Sequence, residues 1–282
     1  MVSNQHQRYS RAMMTWGIGY GFFRPPSDVY DQARPGVCGY IDHSGNWRKI
    51  VDLNSPDELS AANLTSFSEA VRLQRPSFHT WGPKYTDTVS ETTVGVDAGV
   101  AAGIPIECSA IYSYSTRSDF AALLLCGDNV RQTAYPHYDP FRRWAKANAK
   151  RILQRHGDVA THGLYVMTST WSARDVYMKA WTNMDNKVTI GVNWSVPEAG
   201  GAAASVEYHR GGSTGGWEHP TIDGRERKVL FFGGVYLRYC RLLRHFYEAD
   251  QPTWPGYLGD GDGGKFFVET DDGAFEVECS II

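Results

Sequence analysis

The segment from Val94 to Tyr114 constrains this chain more than any other. Every even-numbered residue in it is apolar or aromatic, and most odd-numbered residues are glycine, serine or acidic. Side chains on a β-strand alternate between its two faces, so this spacing predicts one apolar face and one wettable face. Ordinary strands run about five or six residues, and this alternation continues for 21. We therefore expect a long ribbon of two strands joined by a turn near Gly103-Ile104-Pro105.

A second two-faced ribbon follows further along the chain. From Val188 to Val196, aliphatic or aromatic residues alternate with threonine, glycine, asparagine and serine. Membrane-spanning β-strands need about 9 to 11 residues, with one face to lipid and one to water. Residues 94–114, with further pieces at 164–176 and 187–209, meet that length; the alternative is a soluble sandwich or barrel whose strands are simply regular. The positions predicted for membrane insertion are Val94, Val96, Val100, Ile104, Ile106, Ile111, Tyr112, Val188, Ile190, Val192, Trp194 and Val206.

The remaining segments predict an α+β fold dominated by antiparallel strands. We expect a short amphipathic helix near the N-terminus, a β-hairpin at 35–53, and a helix that Ser55 caps and that runs to about Leu73. Residues 139–156 are the clearest helix, with Asp139 as its cap. Residues 228–243 predict a buried strand, or a strand that turns into a helix near Leu237, and residues 265–282 a closing hairpin.

Charge is unevenly distributed along the chain. The formal net charge is −3 overall, but residues 249–282 hold eight acidic residues and one base, a net of −7. Residues 1–248 hold 27 bases and 23 acidic residues, a net of +4. This asymmetry suggests that an acidic tail shields a surface that prefers anions such as lipid head groups; a solvated acidic terminus is the alternative. We divide the chain into a body, residues 1–248, and a linker with tail, residues 249–282.

Common motifs of catalysis and cofactor binding do not occur in the sequence. It contains no GxSxG, HExxH or GxxxxGK[ST], and no GxGxxG that opens a helix. We therefore expect no enzyme, no cofactor and no metal site, although a Cys38 nucleophile paired with His43 or His137 is an alternative. The GDGDGG stretch around Asp260 and Asp262 resembles half of a calcium loop but lacks its closing glutamate.

The sequence also gives expectations for the redox state of the cysteines, the cellular compartment and the binding of nucleic acid. The five cysteines form no CxxC pair, which predicts reduced thiols. The first residues lack the apolar core of a signal peptide, so a cytosolic protein is expected. The basic helix at 139–156 is accompanied by no recognised nucleic-acid motif, so no nucleic-acid partner is expected.

Several short segments, taken in order, resemble the pore-forming domain of the gasdermin family. Two early segments of the family resemble IDHSGNWRKIVDLNSPDEL and FHTWGPKYTDT of this chain. The two predicted ribbons fall where the family has its two insertion hairpins. A Tyr-Val-Val-Thr-Glu phrase of the family resembles LYVMTST, and its closing strand resembles RKVLFFGGVYLR. The likeness spans about residues 1–245. The chain departs from the family at Ser169, where the phrase has glutamate, in the insert at 21–40, and in lacking a large helical C-terminal domain. Its short tail is similar to that of the compact gasdermins of fungi and bacteria.

This resemblance implies a twisted, mostly antiparallel sheet flanked by helices and able to convert to a membrane β-barrel. It implies an effector of programmed, pyroptosis-like cell death that is autoinhibited in the cytoplasm. Proteolytic removal of the tail would let the basic body bind acidic lipids of the plasma or another cell membrane, self-associate in a ring and insert two β-hairpins per subunit. The residues implied for lipid binding are Arg8, Arg11, Arg48, Lys49, Arg142, Arg143, Lys146, Lys150 and Arg151.

The C-terminal region would contain both the inhibitor and the cleavage region. Apolar tail residues are expected to cover an apolar patch or a sheet edge; they are Phe266, Phe267, Val268, Phe275 and Val277. In the cleavage region, Asp250 suits a caspase-like protease, Phe246 or Tyr247 a subtilisin-like protease, and Arg244 a metacaspase; plain linker residues are the alternative.

Two other functions stay open from the sequence. Nine tryptophans and sixteen tyrosines are compatible with a soluble, β-rich binding module of the lectin type. An enzyme with an unrecognised site is the third possibility.

Overall fold

A computed structural model describes residues 5–67, 71–95, 110–181, 187–195, 205–210, 217–218, 226–241, 265–271 and 273–282. The described helices are α1 (Gln5–Met13), α2 (Pro56–Ala61), α3 (Asp139–Arg155) and α4 (Val159–His162), with a 3₁₀ turn at Met14–Trp16. The described strands are β1 (Tyr20–Gly21), β2 (Val37–Ile41), β3 (Trp47–Asp52), β4 (Ser77–His79), β5 (Lys84–Tyr85), β6 (Val89–Thr93), β7 (Ala110–Thr116), β8 (Ala121–Cys126), β9 (Val130–Ala134), β10 (Leu164–Ala173), β11 (Val176–Trp181), β12 (Val188–Ser195), β13 (Ser205–Arg210), β14 (Lys228–Arg241), β15 (Phe266–Thr270) and β16 (Gly273–Ile281).

The main sheet is built around two long antiparallel strands, β10 and β14. Within the described ranges it contains nine strands, with β15-β16-β14-β10-β2-β3 in order and β1, β4 and β9 beside this path. The outer edge of β14 pairs first with β1, at Phe231 and Phe232, and then with β16, from Val235 onward. At Gly234, between these partners, an added Cβ would lie 2.0 Å from the carbonyl oxygen of Val166. Only glycine fits this close approach of the two central strands.

Helices and loops cover both faces of the main sheet. On one face α3 packs its apolar stripe, including Phe141 and Ile152, against Val166 and Leu237. On the other face, side chains from the segment 20–33 pack against the sheet around Phe232. This two-sided burial explains why β14 reads as an almost continuous apolar run.

A second sheet, in the order β11-β8-β5, stands between α1 and the ribbons. All six residues of β8 are buried. Alternate side chains such as Leu124 face Tyr9 and Met13 of α1, and the others, Leu123 among them, face the cluster that contains the ribbons. β8 therefore contacts α1 with one face and the strands of the ribbons with the other.

The predicted α+β class, with mostly antiparallel strands, is confirmed, as are the hairpin β2-β3, the closing hairpin β15-β16 and the helix α3. The predicted helix to Leu73 is wrong, because α2 ends at Ala61. There Asn63 adopts a left-handed conformation, with φ of 51°, and the Leu64 N–H donates to the carbonyl of Leu59 at 2.9 Å. Asp139 is not the cap of α3; the cap is Tyr138.

Candidate functional site

The strands described at or beside the two predicted ribbons form one four-stranded antiparallel sheet, in the order β6-β7-β12-β13. Of the first predicted ribbon, residues 94–114, the structure describes 94–95 and 110–114, and β6 precedes it. β7 forms the seam between β6 and β12. Its residue Tyr112 faces Thr93 of β6 on one side and Ile190 of β12 on the other. We call these four strands the ribbon sheet. The sequence predicted strands at β7, β12 and β13 but not the pairing of β7 with β12, and β6 lies before the first predicted ribbon.

The ribbon sheet turns its apolar face inward. Tyr114, Val188, Ile190 and Val192 are fully buried and pack in one cluster with residues of β8 and β11. The other face carries residues such as Ser113, which is half-buried. Burying a large apolar side chain stabilises a fold by about 1.5–3 kcal/mol, so this face contributes much of the stability of the sheet.

The other predicted insertion positions are placed less uniformly. Val94 is half-buried, and its N–H donates to the carbonyl of Ile111 at 3.0 Å. Ile111 is buried but follows the opposite alternation to Tyr112, so the two residues belong to different faces of β7. Trp194 and Val206 are cross-strand partners in β12 and β13. The remaining positions, together with the predicted turn at 103–105, lie outside the described residues; they are Val96, Val100, Ile104 and Ile106.

A cluster that we call the stem clamp holds the chain where it enters the first ribbon. The Trp16 indole N–H donates to the carbonyl oxygen of Tyr85 at 3.0 Å. The Lys84 ammonium lies 3.9 Å from the centroid of the Trp16 ring and 4.7 Å from that of Trp81. Burial lowers the pKa of Lys84. Sequence reasoning missed this cluster, because Trp16 and Tyr85 are 69 residues apart and no local pattern joins them.

The basic residues of α3 divide between two environments. Arg142 and Lys146 are half-buried on the side of the tail, and their positive charges oppose the rise in the pKa of the Cys279 thiol that burial causes. Arg143, Lys150 and Arg151 are exposed. The last three have the accessibility that contact with an anionic surface requires.

Most predicted basic residues outside α3 are committed to acidic partners. Arg8 lies 3.1 Å from Asp119 and stacks over the Phe120 ring at 4.7 Å. Arg48 pairs with Asp42 and Lys49 with Glu58, each at 2.8 Å. Arg11 is exposed on α1.

The tail hairpin, β15 and β16, extends the main sheet and lies against α3. β16 pairs with β14 from Val235 to Arg241. Val268, Phe275 and Val277 are buried in the cluster that contains α3, and the Phe266 ring lies 5.9 Å from the Lys146 ammonium. Phe267, also predicted to cover a patch, is instead 67% exposed, because it points to the opposite face of β15.

The acidic residues of the described tail face away from α3. Glu276 and Glu278 alternate with the buried side chains of β16. Glu276 pairs with Lys265 at 2.7 Å, and Glu278 lies 4.0 Å from Arg238. The described tail hairpin therefore contacts α3 through apolar side chains and not through Glu276 or Glu278. The predicted cleavage residues, Arg244, Phe246, Tyr247 and Asp250, lie outside the described residues.

Half-exposed aromatic side chains also form a surface cluster beside the stem clamp. The rings of Trp81 and Trp171 are 5.4 Å apart, and the ring of His79 is 5.1 Å from that of Trp171. Phe78, on the same strand as His79, is 60% exposed. This arrangement offers flat apolar surfaces to a ligand that stacks.

The described residues give little support to a cysteine nucleophile, a metal site or a membrane-spanning helix. The Cys38 thiol is fully buried, and burial raises its pKa strongly, which opposes nucleophile activation. Among the described residues no group of three His, Cys, Asp or Glu side chains is placed to bind a metal ion. No helix in the described part of the chain combines the length and the apolar character needed to cross a membrane.

Comparison with known proteins finds likeness among solved structures. No family model matches the chain, and no curated protein matches its sequence. Among solved structures, the chain is similar to the cryo-EM structure of the gasdermin A3 membrane pore, with 10% identity and a TM-score of 0.26 over 89% of this chain and 98% of that one. A TM-score at this level does not assign the chain to a family.

Proposed function

We propose that this chain is a gasdermin-like, pore-forming protein that its own tail hairpin holds inactive. The observation that carries the proposal is the ribbon sheet, in which β7 pairs with β12 and Tyr114, Val188, Ile190 and Val192 face one interior cluster. Activation would move these four strands into a bilayer, with the same side chains facing lipid.

The energetics of this transfer support the proposal. Exposing Tyr114, Val188, Ile190 and Val192 to water would cost about 1.5–3 kcal/mol for each side chain. Moving them from a protein interior to hydrocarbon avoids most of this cost, because both surroundings are apolar. β7 and β12 are paired on both sides, and in a closed ring of subunits the outer edges of β6 and β13 would pair with neighbouring subunits, so that no peptide group would enter lipid unpaired.

The tail hairpin is the proposed inhibitor. Its removal would expose the edge of β14 and the side of α3 that carries Arg142 and Lys146. Residues 1–250 alone would carry 27 bases and 24 acidic residues, a net of +3. Each lysine or arginine near an anionic membrane contributes about 1 kcal/mol, so the exposed residues of α3 would dock the body on acidic lipids. A caspase-like, metacaspase or subtilisin-like protease would cut near residues 244–250 of the cytoplasmic precursor.

Dye release from liposomes tests the proposal. A recognition site for a sequence-specific protease is placed at residues 248–253 of the full chain, which is then incubated with liposomes with and without acidic lipid. We expect release only after cleavage and only with acidic lipid, together with ring-shaped oligomers by electron microscopy. The uncleaved chain and a chain with a scrambled site are the controls. Absence of release from every liposome after complete cleavage would reject pore formation.

The aromatic surface cluster favours a second candidate function, glycan binding. Trp81, Trp171 and His79 form a shallow patch of the kind that stacks against sugar rings. A glycan array probed with the full chain and with Trp171→Ala tests this candidate. A lectin is supported if the full chain binds a glycan, the substitution abolishes this binding, and cleavage of the tail does not change it. No binding to any glycan rejects it.

A further inference from the structure

The strands β6 and β7 join the rest of the chain at two neighbouring places. The chain enters β6 through residues 84–88, which we call the entry root, and leaves β7 through residues 116–120, the exit root. The Thr88 hydroxyl donates to the carbonyl oxygen of Phe120 at 3.3 Å, and the Thr116 hydroxyl donates to the carbonyl oxygen of Thr88 at 3.1 Å. These hydrogen bonds hold the two roots side by side.

The 3₁₀ turn that follows α1 contacts the entry root. The Trp16 indole N–H donates to the carbonyl oxygen of Tyr85 at 3.0 Å, and the two rings meet edge to face at 6.4 Å. The Lys84 ammonium lies 3.9 Å from the centroid of the Trp16 ring. On the ribbon side, the ring of Tyr85 lies 5.5 Å from that of Tyr114, which is fully buried in β7. One ring therefore separates Trp16 from the interior of the ribbon sheet.

The helix α1 itself contacts the exit root. The Arg8 guanidinium donates to the carbonyl oxygen of Asp119 at 3.3 Å and lies 3.1 Å from its carboxylate. The same guanidinium lies 4.7 Å from the centroid of the Phe120 ring. Phe120 is buried in one cluster with Tyr9 and Met13 of α1. The exit root is therefore attached to α1 by an ion pair, a cation–π contact and apolar packing.

The two attachments belong to one short, well-packed segment. Arg8 and Trp16 are eight residues apart, which spans about 12 Å at the rise of an α-helix. Between them, Tyr9 and Met13 are fully buried against residues of β8 such as Leu124. A segment fixed at two separated points resists both translation and rotation of the strands that it contacts.

We infer that α1 and the 3₁₀ turn form a strap across both roots, and that the ribbon sheet cannot leave the body until the contacts of Trp16 and Arg8 open. The strap packs in the cluster of β8, whereas the tail hairpin packs in the cluster of α3. Tail removal and strap opening are thus two separate steps. The departure of the ribbon sheet rests on the proposed function, but the fixing of the roots does not.

Hydrogen exchange in the full, uncleaved chain tests whether the strap fixes the roots. Trp16→Phe keeps an aromatic ring and removes the N–H donor. We expect the amides that pair β6 with β7 to exchange about two- to tenfold faster, while those that pair β10 with β14 keep their rates. Thr15→Ala is the matched control, because the Thr15 hydroxyl donates only within the strap, to the carbonyl oxygen of Ala12 at 3.1 Å. This substitution should leave the exchange of β6 and β7 unchanged.

Arg8→Gln keeps the test decisive if Trp16→Phe does not fold. It removes the ion pair and the cation–π contact at the exit root and should speed exchange of the same amides by about two- to fivefold. Unchanged exchange in β6 and β7, or an equal acceleration in β10 and β14, would overturn the strap. The first result would show that the roots are held without it, and the second that the whole fold is weakened.

Dye release after tail cleavage tests the part of the strap in insertion. With the protease site at residues 248–253, cleaved Trp16→Phe should reach half-maximal release from acidic liposomes about two- to tenfold sooner than the cleaved parent. Faster exchange with an unchanged release time would overturn this role of the strap. Absence of release from the parent and the variant alike would reject the proposed function, and the exchange result would still decide whether the strap fixes the roots.

Discussion

The most informative perturbation is Phe275→Ala in the tail hairpin. Phe275 is 6% exposed and packs in one cluster with Val268, Val277 and residues of α3. Removing a buried phenyl ring costs about 3–5 kcal/mol, through lost transfer free energy and the cavity that remains. If the hairpin undocks while the body stays folded, the undocked fraction rises by about two to three and a half powers of ten. We therefore expect the uncleaved variant to leak liposomes that the uncleaved parent leaves intact.

Hydrogen exchange measures the undocking directly. The amides of β16 that pair with β14 should exchange faster by the same factor, whereas those of β10 should keep their protection. Phe267→Ala is the matched control, because this phenylalanine of the same hairpin is 67% exposed and its loss should change neither readout. Equal exchange in β16 and β10, or identical leakage from the two variants, would refute the idea that the hairpin is a separately removable cover.

Three other perturbations follow from particular contacts. Ile190→Asp places an unpaired carboxylate in the core and should lower the free energy of unfolding by about 4 kcal/mol or more. Thr189→Asp, on the half-buried face of the same strand, should lower it by about 1 kcal/mol. Urea unfolding compares the two variants, and equal midpoints would contradict the inward orientation of Ile190. The double substitution of Lys150 and Arg151 by glutamate should leave unfolding unchanged and reduce flotation with acidic liposomes at least tenfold; undiminished flotation would remove α3 from the proposed contact. Because burial on folding lowers the pKa of His6, the unfolded chain binds more protons than the folded chain. The free energy of unfolding should therefore fall as the pH drops below 6.5, the ordinary pKa of histidine. His6→Gln should flatten the dependence of stability on pH, and an unchanged dependence would assign it to other groups.

Local patterns predicted much of the fold, because they depend on residues near each other in the sequence. Alternation marked the strands β7 and β12. Ser55 caps α2 as expected, accepting the Glu58 N–H at 3.3 Å. The length of α2 was not predictable in this way. The chain leaves the helix after Ala61, and Thr65 hydrogen-bonds with Asn148, 83 residues away, at 2.9 Å and 2.6 Å.

The candidate site illustrates the same division. Composition and spacing indicated a basic helix and an apolar tail, and α3 and β16 do meet. The sequence did not indicate that Arg8 would pair with Asp119, 111 residues further along the chain. Nor did it indicate that Phe267 would face outward, since neighbouring phenylalanines cannot reveal which face of their strand is covered.

The amino-acid sequence by itself determined that this chain has two-faced strands, a basic amphipathic helix and an acidic tail with an apolar alternation. Each of these is a property of consecutive residues, set by backbone geometry and side-chain period. Only the tertiary structure decided that β7 and β12 pair in one sheet and that their buried side chains pack against β8. It also decided that Glu278 lies beside Arg238 on the neighbouring strand. These outcomes depend on which distant surfaces exclude water together, and that is a property of the whole packed chain rather than of any segment.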